Sequence, residues 1–181
     1  MKRHLIAAAC ALIAGTAFAA NPTASLNRTF TEYTLGGPIG NDNINDNSNV
    51  YWFYESTGTW LGQAVNSWFV FWDPKNSLGA NGTITFDQPI LFVHDVKSEL
   101  VSTASFEKLG VTYNYPTLVG LESNTDTVTK SGKVLTLDWM ASNPGDHIRV
   151  MTAVPEPSAY ALSGAALLVV MGFVGRRRRA G

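Results

Sequence analysis

Two runs of β-branched and aromatic residues constrain this chain most: Val50 to Glu55 (VYWFYE) and Ser67 to Trp72 (SWFVFW). Such side chains lose rotamer freedom in a helix and pack well on a pleated surface. Other short runs follow the same logic. Thr83 to Phe86 alternates apolar residues with threonine, Ile90 to His94 follows an Asp87-Gln88-Pro89 turn, and Val111 to Tyr115 alternates before Pro116. Lys130-Ser131-Gly132-Lys133 marks a hairpin between Thr127–Thr129 and Val134–Trp139, in which Leu135, Leu137 and Trp139 share one face. Asn143-Pro144-Gly145-Asp146 then turns the chain into a last strand around Ile148 and Val150. The middle of the chain holds no helical period for three turns, and Ser98 to Leu109 is the one candidate for a helical turn or two. About eight strands at this spacing predict an all-β fold: a single antiparallel sandwich, jelly-roll-like, over residues 20–153.

The two ends follow other rules. Lys2 and Arg3 open the chain with positive charge, Leu5 to Ala14 are apolar, and Ala17-Phe18-Ala19 places small residues around a larger one. That is the anatomy of an export signal over residues 1–19, with Ala17 and Ala19 as the signal peptidase site. Signal peptidase and the export machinery are therefore expected partners. At the other end, residues 159–175 carry no charge and are just long enough for a membrane-spanning helix. Arg176, Arg177, Arg178 and Arg179 follow at once and would stay cytoplasmic, stopping transfer. Immediately before the span stands Val154-Pro155-Glu156-Pro157-Ser158, whose prolines can neither extend the helix nor join a sheet interior. The pentapeptide reads as an exposed, extended joint open to a processing enzyme.

A Val-Pro-Glu-Pro-Ser joint, a short apolar helix and a terminal arginine cluster, in that order, resemble the PEP-CTERM sorting signal, here over residues 154–181. The resemblance implies processing by an exosortase, a membrane enzyme with a cysteine nucleophile, in a Gram-negative bacterium that makes exopolysaccharide. It makes Val154, Pro155, Glu156, Pro157 and Ser158 the sorting and processing motif, and it adds exopolysaccharide and biofilm as the expected setting. A permanent single-pass anchor on a proline stalk is the alternative reading of the same residues.

The charge of the middle segment narrows its partners. The chain has 13 basic and 14 acidic residues. Taking away Lys2, Arg3 and the four terminal arginines leaves seven basic residues, and taking away Glu156 leaves thirteen acids, a balance of −6. Such a domain has no basic surface for nucleic acid. The sole cysteine, Cys10, lies in the export signal, so disulfides and thiolate chemistry are excluded from the exported part.

Catalytic and metal signatures are sparse. The Asn41 to Asn49 segment (NDNINDNSN) carries Asp42 and Asp46, but Ile44 breaks the alternation that a calcium loop needs and Phe53 stands in the glutamate's place. It reads as a polar surface loop. His94-Asp95 and Asp146-His147 pair a histidine with a carboxylate twice, yet neighbours on a strand point to opposite faces. They read as surface histidines beside loop acids. There is no GxSxG elbow and no phosphate-binding glycine loop. The expectation is a non-enzymatic domain with no catalytic residue, cofactor or metal.

One feature of the domain does point to a ligand. Tyr51, Trp52, Phe53, Tyr54, Trp60, Trp68, Phe69, Phe71 and Trp72 put nine aromatics within 22 residues. A strand presents them to both faces, and a sandwich sheet buries one. Either the second face is covered, by loops such as Asp73–Asn81 or the amino-terminal segment, or it is an open platform on which sugar rings stack. In the second case the chain is a carbohydrate-binding module, with Trp52, Tyr54, Trp68 and Trp72 as its stacking residues.

Overall fold

The computed structural model describes residues 19–116, 119–122 and 125–155. Residues 1–18 of the export signal with Ala17, the Glu156-Pro157-Ser158 part of the joint, the 159–175 stretch and Arg176 to Arg179 lie outside the described residues, whereas Ala19 is described. Among the described residues no helix is long and apolar enough to cross a membrane. Ala19–Val154 cluster as one compact unit.

That unit is built of strands: β1 (Thr23–Leu26), β2 (Thr29–Glu32), β3 (Gly37–Ile39), β4 (Asn49–Trp60), β5 (Gln63–Trp72), β6 (Leu78–Thr85) and β7 (Ile90–His94). A short helix α1 (Lys97–Ser102) and a 3-10 turn (Ala104–Phe106) follow, and then β8 (Val111–Tyr113), β9 (Thr127–Ser131), β10 (Val134–Ala141) and β11 (Asp146–Ala153). One sheet has the order β1-β6-β10-β9, a second β2-β4-β5-β11-β7, and a third is the pair β3-β8. The all-β expectation holds. The expectation of purely antiparallel pairing does not, because β2 joins β4 in parallel and β3 joins β8 in parallel. Residues 33–48 supply the crossover that a parallel neighbour needs, and β3 branches from that crossover to meet β8.

The two larger sheets share one core. Ala80, Ile84, Leu135, Leu137, Trp139 and Ala141 from the four-stranded sheet meet Val50, Trp52, Trp68, Val70, Trp72, Ile148 and Val150 from the five-stranded one. Strand β10 shows the alternation cleanly, with Leu135, Leu137 and Trp139 buried while Thr136, Asp138 and Met140 face out. The β9–β10 hairpin forms at Gly132, as its turn residues predict. A second two-residue turn, Leu61-Gly62, joins β4 to β5, with both residues at positive φ.

The five-stranded sheet is buried on both faces, which explains runs of large residues without alternation. Its outer face carries Phe53, Phe69 and Phe71, which pack with Tyr33, Ile39 and Leu100 and with the partly buried Val111, Tyr113 and Tyr115. The cover is therefore α1, the β3–β8 pair and the segment leading into it, rather than Asp73–Asn81. This corrects the platform reading. Trp52, Trp68 and Trp72 are 5%, 1% and 0% exposed, and only Tyr54, at 37%, reaches solvent. The rings fill both layers because the burial of apolar surface outweighs any gain from leaving them open.

A bulge in β4 sets up the buried polar centre. Tyr54 pairs with Trp68 and Ser56 with Ser67, leaving Glu55 as the extra residue. The bulge turns Glu55 onto the covered face beside Arg149.

Candidate functional site

The charged centre under the cover is closed. Arg149 Nε and Nη2 donate to Glu55 Oε2 and Oε1 at 2.6 and 2.9 Å, and Nη1 donates to the Leu100 carbonyl and to Thr103 Oγ1 at 2.8 and 2.6 Å. Ser67 Oγ and Tyr113 Oη complete the shell of Glu55 at 2.6 and 2.8 Å. The guanidinium also lies over Phe69, 5.4 Å from the ring centre. Burial alone would lower the Arg149 pKa, but the Glu55 carboxylate more than offsets it and holds the group further up. Burial, then the Glu55 charge, push the Tyr113 hydroxyl up. Both ends of the ion pair have no exposed side-chain surface, so it cannot touch a substrate. It ties β4 and β11 to α1.

The histidines are not surface groups, contrary to the sequence reading. His147 is fully buried, edge-on to Phe69 and Phe71, and burial pushes its pKa down to about 3. Neither ring nitrogen has a hydrogen-bond partner among the described residues. His94 is 7% exposed, with Nδ1 3.8 Å from Glu99; burial lowers its pKa against the pull of that carboxylate. The sequence placed them on the surface because each sits by a loop acid; the cover over the outer face encloses them instead.

The Asn41–Asn49 segment is ordered turn chemistry. Asn41, Asp42 and Asn45 occupy the left-handed region, which short polar side chains tolerate. Asp46 accepts hydrogen bonds from the Ser48 and Asn49 amides, Asn49 Nδ2 and the Tyr51 hydroxyl, the last at 2.6 Å. Burial and then Asp46 push the Tyr51 pKa up to about 12. Asp42 instead accepts from Asn143. The two aspartates do not converge.

Three acids that sequence reading did not bring together do converge. Glu122, Asp126 and Asp146 each place a carboxylate oxygen within 4.8 Å of the others. Asp126 is fixed by the Met140 amide at 2.6 Å, the Glu122 amide at 2.9 Å and Thr125 Oγ1 at 3.2 Å. Asp146 opens β11, opposite Trp72. Burial, then Asp126 and Glu122, push its pKa up to about 8. A Gly-Asp dipeptide after Asn-Pro was the visible signal, but its partners lie in a different loop.

A shallow groove of about 460 Å³ is lined by Trp60, Phe92, His94, Glu99, Ser102 and Lys130, among others. Trp60 stands edge-on to His94 at 5.6 Å between ring centres, and Phe92 stacks on the same ring at 6.4 Å. The groove thus sets two aromatic rings beside a carboxylate, a hydroxyl and an ammonium group. Trp60 stood within the aromatic cluster, but nothing in the sequence separated it from its buried neighbours.

The sorting joint leaves the domain directly. Val154 and Pro155, both half-buried, follow β11, an interior strand held by β5 and β7. A protein-family profile, the PEP-CTERM protein-sorting motif, matches residues 153–179. The chain thus carries that motif, which implies an exosortase as its processing partner and export with sorting to the cell surface. No curated protein and no solved structure matches the chain.

Proposed function

We propose that this protein is a non-enzymatic β-sandwich of jelly-roll type, exported, held briefly in the inner membrane by the 159–175 span, and processed at Pro155-Glu156-Pro157 for the cell surface or extracellular matrix. The observation that carries the reading is the sorting motif at residues 153–179. The sandwich reading draws support from the chain passing repeatedly between two sheets that share a core. The non-enzymatic reading draws support from the enclosure of Glu55, Arg149 and His147, which denies a substrate access to them. Association with exopolysaccharide follows from the setting that the tag implies.

Replacing Pro155-Glu156-Pro157 by three alanines tests this. Export and insertion stay intact, since neither the signal nor the span changes. The joint becomes a run that helix can enter, so processing fails and the chain accumulates in the inner membrane at full carboxyl length. Intact mass and cell fractionation read both. A variant that matures to the parent's mass and place makes the joint a mere stalk and leaves a permanent anchor.

The groove favours one second reading, glycan binding through Trp60 and Phe92 rather than Trp52, Trp68 or Trp72. Trp60→Ala then abolishes retention on a polysaccharide column; because Trp60 also packs on Val65, Phe106 and Met151, a cooperative unfolding transition must show that the variant is still folded. Unchanged retention removes this reading.

A further inference from the structure

We propose that Glu122, Asp126 and Asp146 bind one calcium ion at the edge of the core shared by the two larger sheets. The three carboxylate oxygens lie within 4.8 Å of one another, the distance across a calcium ion with bonds of about 2.4 Å. The donor set is all oxygen, as a hard cation requires. His147, next in sequence to Asp146, projects to the opposite face of β11 and cannot join it.

A second, independent observation points the same way. Asp146 is 3% exposed, yet its Oδ2 has no hydrogen-bond partner among the described residues. A buried, unpartnered carboxylate oxygen on a residue grouped with two further acids is costly without a counter-charge. No lysine or arginine forms a salt bridge with any of the three among the described residues, where the ion pairs are His94–Glu99 and Arg149–Glu55.

The backbone holds the acids in place. Gly145 has φ +85°, and a Cβ there would stand 2.7 Å from the Trp72 carbonyl oxygen; Gly120 has φ +101° and would meet the Asp95 carbonyl oxygen at 2.7 Å. Glycine alone lets Asp146 and Glu122 start from these close approaches. Asp126 keeps a lone pair free on Oδ1 after accepting from Met140 there and from Glu122 and Thr125 on Oδ2. The cation therefore joins the loop before β9 to the first residue of β11.

The full chain, purified in detergent with chelator and then freed of it, is titrated with calcium, magnesium and zinc chlorides by calorimetry. Thermal unfolding is followed by tryptophan fluorescence. One calcium per chain is expected, with the midpoint rising by roughly 5–10 °C at a hundredfold excess over Kd. Asp146→Asn keeps or raises the midpoint in chelator, since a neutral amide cannot repel Asp126 and Glu122, and weakens calcium at least about tenfold. Glu122→Gln, at an exposed position, also weakens calcium while leaving the chelator midpoint unchanged. A parent midpoint that is the same in chelator and in 10 mM (about a hundredfold excess for a weak extracellular site) calcium overturns the proposal. So does undiminished calcium binding by Asp146→Asn, or binding of zinc alone.

Discussion

Arg149→Met removes the cation from the buried centre and leaves Glu55 behind, with hydrogen bonds from Ser67 and Tyr113 only. The lost contacts are two bonds to Glu55, one to the Leu100 carbonyl and one to Thr103, all at 2.9 Å or less, and a longer one of 3.4 Å to the Tyr115 hydroxyl. Breaking one partner of a buried pair typically costs about 3–5 kcal/mol, because the other charge stays desolvated. Against a total stability of roughly 5–15 kcal/mol, that is a third or more. Glu55→Gln should cost a similar amount, since Arg149 then keeps its charge without a counter-charge. Replacing both, Arg149→Met with Glu55→Gln, should cost clearly less than the two losses added together, by at least about 1.5 kcal/mol of coupling. Urea unfolding of the four proteins, followed by tryptophan fluorescence, supplies the cycle. The near-UV signal of Tyr113 and Tyr115 should fall in Arg149→Met, because the cover over the outer face loses its tie to β11. If Arg149→Met costs under about 1 kcal/mol, the pair is hydrated in solution and the argument from enclosure is wrong.

Trp139→Ala, which empties a 1%-exposed position of the shared core, should cost about 3–5 kcal/mol in urea unfolding; a loss below about 1 kcal/mol would mean that the faces of β10 are reversed. Burial holds the His94 pKa below its ordinary value, so the folded state resists a proton that the unfolded chain accepts. Stability is therefore lost as pH falls below about 6.5, at up to about 1.4 kcal/mol per pH unit for each such histidine, and His94→Phe should lose less than the parent between pH 7.5 and 5 while keeping the share due to the buried His147. Gly145→Ala should cost roughly 2–4 kcal/mol, because positive φ and a clash with the Trp72 carbonyl add, whereas Gly62→Ala, with nothing within 4 Å, should cost only about 1 kcal/mol. Chemical denaturation of both alanine variants checks the difference.

Local chemistry is what a chain discloses before it folds. The strand-forming runs around Tyr51 and Phe69, the shared face of Leu135, Leu137 and Trp139, the Ser131-Gly132 turn and the short helical stretch at Lys97–Ser102 all depend on neighbours within a few residues. Side-chain alternation says that Trp52 and Phe53 point to opposite faces; it carries no information on what stands above either face. The cover over Phe53 and Phe69 comes from Tyr33, Ile39 and Leu100, far apart in the chain, whereas Ile84, Leu135 and Trp139 of the four-stranded sheet make three of the four expected sugar-stacking rings core.

The ends and the middle of this protein therefore differ in how they are encoded. The carboxyl tag is a linear motif, so the order of its residues suffices to define it, and the 153–179 match agrees. The strand content of the domain was likewise set by residue type and alternation. Only tertiary structure decided the rest: the bulge that turns Glu55 toward an arginine 94 residues away, the enclosure of His94 and His147, and the meeting of Glu122 and Asp126 with Asp146. The reason is physical. Burial, charge pairing and ligand convergence are properties of groups brought together across long loops, and no pattern within one strand contains the position of its partner.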